Sequence, residues 1–309
     1  MATLNTFPCS EAFGNTGISK CSLVPALIVG MLIVPNDFVI TAANAATLQD
    51  YLSTAAKDPV KSKRLFPVHN FTAFTDNSED PVVETTGYGD PIPVRDGNYS
   101  WTFRFITGGI CLLKALQKFN GQSVSVLFYD NNGLLFGANT SKGLAGVPLK
   151  SFFAQKWTPT DGSNVAGFNV NVVFDPKYIN QNFGFIKDDE TDYTQVVGLQ
   201  DINIVAVGPQ TPLLLAVSTV AGCVGDNLFD LFKDELSAGA LWSVINKATG
   251  EDVVIDSVAK NEGNKTFTIT LTAGVAAGSQ LIVNLKPVDE LEAADIIGFE
   301  GSPTLIKTA

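Results

Sequence analysis

Arg95-Asp96-Gly97-Asn98-Tyr99-Ser100-Trp101-Thr102-Phe103-Arg104-Phe105 alternates ring and polar side chains after a charged turn. Side chains on a strand point to opposite faces with a period of two. Tyr99, Trp101, Phe103 and Phe105 therefore share one face, and Ser100, Thr102 and Arg104 the other. Gly108-Gly109 ends the strand. Residues 111–119 follow with helical spacing, placing Leu112, Ala115, Leu116 and Phe119 on one face and Lys114 and Lys118 off it. Asn120-Gly121 closes that helix in the manner of a C-terminal glycine. Two further apolar runs, 123–129 and 134–136, flank Asp130-Asn131-Asn132-Gly133 and predict a hairpin. The unit of residues 94–136 is thus strand, helix, hairpin, with no reaction centre in it.

Working outward, the 309 residues suffice for two domains, and 45% hydrophobic residues suffice for a core in each. The 21 Phe against 2 Met, with 27 Gly, favour strands over helices. The net charge of −11 argues against gripping nucleic acid, which needs a basic face. Like charge suits a passage through which DNA slides without sticking.

Chemistry-bearing residues are sparse. Cys9, Cys21, Cys111 and Cys223 form no C-x-x-C pair, and His69 is the single histidine. A metal site would need ligands gathered from distant segments. Buried free thiols are the expectation, with a Cys9–Cys21 disulfide open in an oxidising compartment. A nucleophilic triad would have to use His69, in Pro67-Val68-His69-Asn70-Phe71, and no G-x-S-x-G elbow accompanies it. The expectation is a structural histidine, no enzyme, and no catalytic, cofactor-binding or metal-binding residue.

Residues 1–22 read as a small, polar arm. The most apolar run, 23–35, is interrupted by Pro25 and Gly30 and is too short to span a bilayer. It predicts buried strand, with 45–56 a helix presenting Leu48 and Leu52. The run also imitates a signal peptide ending at Ala43-Asn44-Ala45, but Glu11, Asp37 and the long approach speak against that. Lys57, Lys61, Lys63 and Arg64 predict a solvated or interface loop. Thr86-Gly87-Tyr88-Gly89-Asp90 looks like a potassium-channel filter without its valine or flanking helices, and Pro91 and Pro93 read as a bend. Asp188, Asp189, Glu190 and Asp192 lack the spacing of a calcium loop and read as a solvated acidic loop. N-x-S/T matches fall at Asn70, Asn98, Asn139 and Asn264, as chance allows in an Asn- and Thr-rich chain.

Gly208-Pro209-Gln210-Thr211-Pro212 reads as a linker. It divides the chain into 1–209 and 213–309. Residues 1–209 carry 18 acidic and 14 basic side chains, a net of −4, and 210–309 carry 13 and 6, a net of −7. The evenly spaced strands of the second part predict a small Ig-like β-sandwich, without the Cys…Trp…Cys signature of antibody domains. The fold class is mainly β.

The aromatic strand, the helix 112–119 and the hairpin of Phe128-Tyr129-Asp130 together resemble bacteriophage virion structural proteins, tail tube proteins above all. That resemblance implies a tail-tube-like β-barrel or sandwich with one packed helix over 1–209, including an N-terminal arm and long loops. It further implies stacked, hexameric rings built by self-assembly, a lumen of polar and acidic residues that conducts DNA without specific binding, and an Ig-like domain over 213–309. The implied partners are other copies of the chain and further tail proteins such as sheath, terminator or baseplate, with no membrane insertion. The implied location is the virion tail, after synthesis in the host cytoplasm. Two alternatives stand beside it: a capsid decoration or head-fibre protein, and a secreted surface protein with an Ig-like domain.

Overall fold

A computed structural model describes residues 3–5, 25–188, 190–223 and 225–309, and the chain divides into two units, Met1–Val197 and Gly198–Ala309. Both are mainly β. The arm of residues 1–22 lies outside the described residues apart from 3–5, as do Cys9, Cys21 and Asp189.

The first unit is built from strands β1 (Ile28–Val34), β2 (Phe66–Val68), β3 (Ala73–Asp76), β4 (Val82–Thr85), β5 (Pro91–Arg95), β6 (Tyr99–Phe105), β7 (Ser125–Asp130), β8 (Leu134–Thr140), β9 (Val147–Ala154), β10 (Phe168–Phe174) and β11 (Phe183–Lys187). Helix α1 (Leu48–Ala56) lies between β1 and β2, and α2 (Gly109–Gln117) between β6 and β7. One continuous sheet runs β11-β8-β7-β9-β10-β6-β3, and β1 pairs with β7 and β2. Strand β9 makes the fold-over. Val147 and Pro148 pair with β7, the register shifts between Leu149 and Ser151, and the rest pairs with β10. A bulge bends its strand, so the two halves of the sheet face each other.

Between the halves lies the main core, an aromatic cluster of Trp101, Phe103, Phe105, Phe128, Phe136, Phe152, Phe168 and Phe174. The alternation in 99–105 is reproduced: Trp101, Phe103 and Phe105 are buried, with Ser100, Thr102 and Arg104 less so. Trp101 meets Phe128 and Phe174 edge-on at 5.0 and 4.8 Å, an arrangement favoured by the ring quadrupoles. A second core lies on the other side of β1 and β7. Leu32, Val34, Leu127, Tyr129, Leu135, Leu144 and Ile186 pack there against Leu48, Leu52 and Ala56 of α1 and against Tyr193 and Val196. Strands covered on both faces read as unbroken apolar runs. That is why 28–34 looked like a signal sequence: cleavage after Ala45 would remove a central strand, and Ala45 itself is buried.

Three expectations are corrected. The sheet curls without closing, so among the described residues there is no closed barrel. More than one helix packs on it, α1 and α2 among them. The boundary lies between Val197 and Gly198, ahead of the expected linker at 208–212.

The second unit contains β12 (Gln200–Ala206), β13 (Leu214–Ala221), β14 (Trp242–Asn246), β15 (Ile255–Asn261), β16 (Thr266–Leu271), β17 (Gln280–Leu285), β18 (Phe299–Ser302) and β19 (Thr304–Lys307). One sheet has the order β15-β16-β13-β12-β18, the other β14-β17-β19. Residues 208–212 are the turn from β12 to β13. The buried Gln210 donates to the carbonyls of Val207, Gly208 and Ala216, and its Oε1 accepts from the Ala216 amide. A separate core of Phe229, Phe232, Trp242, Phe267 and surrounding aliphatics fills the space between these two sheets.

The free-thiol expectation fails for both described cysteines. Cys111 and Cys223 are each disulfide-bonded, while the Cys9–Cys21 pairing falls on residues outside the described ones.

Candidate functional site

Between β3 and β6 the chain leaves the sheet. Strands β4 and β5 pair with each other and with no other described strand. Their register runs from Val82 opposite Arg95 to Thr85 opposite Pro91, and every residue of both strands is exposed. Val83, Ile92 and Val94 are 50%, 52% and 59% exposed, and Tyr88 at the tip is 97% exposed. Thr86 closes the tip. Its amide donates to the Asp90 carbonyl at 2.9 Å, and its Oγ1 accepts from the Asp90 amide at 3.1 Å. Gly89 supplies the left-handed φ of +88°.

The base of this ribbon is clamped. A Cβ on Gly97 would fall 1.9 Å from the Glu79 carbonyl oxygen, so only glycine allows the two limbs to cross there. Glu79 Oε2 accepts from the Asn98 amide at 3.3 Å, from Asn98 Nδ2 at 3.2 Å and from Arg95 Nη1 at 3.4 Å. These donors, led by the Asn98 amide, hold the Glu79 carboxyl below the usual carboxylate range. Asn98 Oδ1 in turn accepts from Lys150 Nζ at 2.6 Å, and Lys150 lies 3.6 Å from the Asp175 carboxylate. The network ties the ribbon to β9 and to the end of β10, so the base is fixed while the shaft projects.

An isolated two-stranded hairpin is marginal in water, and each large aliphatic side chain left exposed forgoes about 1.5–3 kcal/mol of burial. Pro91 and Pro93 lie two residues apart, so their missing N–H groups fall on one side of β5. Such a ribbon suits burial against a partner.

The solvent face of the sheet beside it presents Ala73, Thr75, Ser100, Thr102, Asn169, Asn171, Ser151 and Phe153, with Arg104 its only charge along the paired registers. Apart from Arg104 this face is uncharged, and it is not acidic. Thr102 donates to Asn171 Oδ1 and accepts from Asn77 Nδ2 at 2.9 Å, linking neighbouring strands by side chain as well as backbone.

The other residues singled out from sequence do not converge. His69 sits where the chain crosses from β2 to β3; its Nδ1 is 2.5 Å from the Tyr129 hydroxyl and its Nε2 2.8 Å from the Val196 carbonyl. Asp188 and Asp192 cap local turns: Asp188 accepts from the Glu190 amide and the Thr191 hydroxyl, and Asp192 from the amide and hydroxyl of Thr194. Arg64 is buried and donates to the Asp58 carbonyl at 2.8 Å, so the basic run 57–64 is partly built into the fold. Among the described residues no cluster of three or more His, Cys, Asp or Glu could hold a metal ion, and no helix is long and apolar enough to cross a membrane.

Sequence reasoning missed the ribbon. The available signal was the pair of short runs Val82-Val83-Glu84-Thr85 and Ile92-Pro93-Val94-Arg95 on either side of a glycine-containing turn. Pro91 and Pro93 hid it, because proline demotes a strand unless that strand is an edge. No protein-family model matches the chain, and no curated protein matches it in sequence.

Proposed function

We propose that the chain is a structural subunit that assembles with copies of itself, and that it serves as a phage tail tube subunit forming stacked rings that conduct DNA. The observation that carries this reading is the β4–β5 ribbon, a clamped and projecting element with an apolar shaft that no other described strand of its own unit pairs with. Support comes also from the folded-over sheet with its aromatic core and packed α2. The net charge of −11 fits a passage that repels DNA instead of holding it.

The second unit is read as an Ig-like decoration. Its strand order supports this. Taken in chain order without β18, the strands fall into a four-stranded sheet of the first, second, fourth and fifth, and a three-stranded sheet of the third, sixth and seventh. That is the ABED and CFG division of a constant-type sandwich. The buried Trp242 occupies the third strand, its Nε1 donating to the Leu236 carbonyl at 2.8 Å.

One observation favours a second reading. Oxidised Cys111 and Cys223 fit an extracellular or surface location, as a secreted protein with an Ig-like domain would have. Negative-stain microscopy with sedimentation of the purified full chain separates the readings. Rings or tubes of uniform diameter are expected for the tail tube; trimers favour decoration of a capsid. A monomer at every concentration, with a native N-terminus processed by a secretion pathway, favours the surface protein.

A further inference from the structure

We propose that His69 is an acid-sensitive latch on the turn Asp192–Val196, the last segment of the first unit before the chain passes into the second. The geometry fixes its state. A carbonyl only accepts, so Nε2 carries the proton toward Val196 O at 2.8 Å, and Nδ1 is left to accept from the Tyr129 hydroxyl at 2.5 Å. The neutral ring thereby satisfies both neighbours, one on the central strand β7 and one on the turn. Tyr129 is itself held in place: a Cβ on Gly30 of β1 would fall within 2.0 Å of its hydroxyl, so that site must be glycine.

Protonation keeps the Nε2–H bond to the Val196 carbonyl but undoes the other half of this arrangement and places a cation in a buried site. Both ring nitrogens become donors, so the Tyr129 hydroxyl must accept where it had donated, and its own proton loses the acceptor it had in Nδ1. The turn has little in reserve against that loss. It is anchored by the buried Tyr193 and Val196, yet the buried Tyr193 hydroxyl has no hydrogen-bond partner among the described residues. An unsatisfied buried hydroxyl counts against the closed arrangement.

The surrounding charges are few. Asp192, on the turn, favours the imidazolium. Tyr129 on β7 and Tyr193, whose rings stack at 4.8 Å, are kept protonated by burial, and Asp188 and Asp130 lie toward Tyr193. Burial outweighs both the Val196 carbonyl and Asp192, which favour the imidazolium, so the His69 pKa is lowered from its ordinary value. The sign follows. The latch contributes fully above the ordinary histidine range near 6.5, and its contribution is lost as pH falls through the lowered folded value.

The single histidine makes the test direct. In the full-length chain, the His69 ring is followed by NMR from pH 8 to 4.5, and amide exchange of residues 193–197 is measured at both ends of its transition, corrected for intrinsic rates. The ring is expected to titrate below the ordinary value, with protection of that segment falling about tenfold across the same transition, the factor for one buried hydrogen bond. His69→Gln keeps a donor for Val196 but cannot titrate, so its protection should not change with pH. A ring that titrates at or above the ordinary value, a wild-type segment unchanged by pH, or the same loss in His69→Gln overturns the latch.

Discussion

Replacing Phe128 with alanine is expected to destabilise the first unit by about 3–5 kcal/mol and lower its melting temperature by roughly 10 °C. Phe128 lies fully buried on β7, the strand that pairs with β1, β8 and β9. Its ring touches Trp101 at 5.0 Å, Phe136 at 5.6 Å, Phe103 at 5.9 Å and Phe174 at 6.0 Å. Those partners come from β6, β8 and β10, so truncation opens a void that no single strand can move to fill. Interiors pack at crystal density, and a void costs its lining the lost contacts as well as the transfer energy. The second unit has its own core around Phe267 and Trp242. A calorimetric trace should therefore show the loss in one transition while the second unit's transition stays in place. A change below about 1 kcal/mol would mean that the aromatic cluster does not carry the fold.

The double substitution Val83→Glu with Ile92→Glu should act in the opposite way. Val83 and Ile92 are half-exposed on the ribbon, so their removal from the free subunit deletes almost no packing. Surface changes of this kind stay within about 0.5 kcal/mol. In an assembled interface the same two side chains would be buried, and two uncompensated carboxylates there would cost several kcal/mol per contact, or a loss of a thousandfold or more in association. The expected result is an unchanged melting temperature with assembly abolished in sedimentation velocity. Assembly that persists with native affinity would exclude the ribbon from the interface. Substituting Glu79 by Gln weakens only the clamp, and serves as a milder companion that alters the ribbon's aim.

What could be read from the residues alone followed where one local rule governed. The alternation in 99–105 and the Asp130–Gly133 turn appear as expected; a helix does precede Asn120-Gly121, but it buries Leu113 with Leu116 and leaves Ala115 exposed. In that turn Asp130 Oδ1 accepts from the Asn132 and Leu134 amides at 2.9 and 2.8 Å. Clean alternation likewise marked β10 and β16. The misreadings came where two rules competed. Gly208 through Pro212 carries the punctuation of a linker, yet Gln210 supplies enough hydrogen bonds to turn it into a hairpin connection. The weak alternation of 66–74 concealed a crossover between the two halves of the sheet, with Asn70 taking the left-handed φ of +63° that asparagine tolerates. Immediately ahead of the residues expected as an acidic loop lies β11, whose Phe185 and Ile186 bury on opposite faces. The long-range facts were not legible at all. Nothing local says that β1 divides two cores, or that His69 meets Val196 across 127 positions of sequence.

The role proposed for the ribbon in joining copies is tested most directly by amide hydrogen exchange over residues 82–95, comparing assembled protein with the same protein diluted to its free subunit. Burial on assembly should slow exchange in the ribbon by at least about a hundredfold, while the already protected strands β7 and β10 barely change. A ribbon that exchanges equally fast in both states, while the assembly is demonstrably intact, would contradict the account.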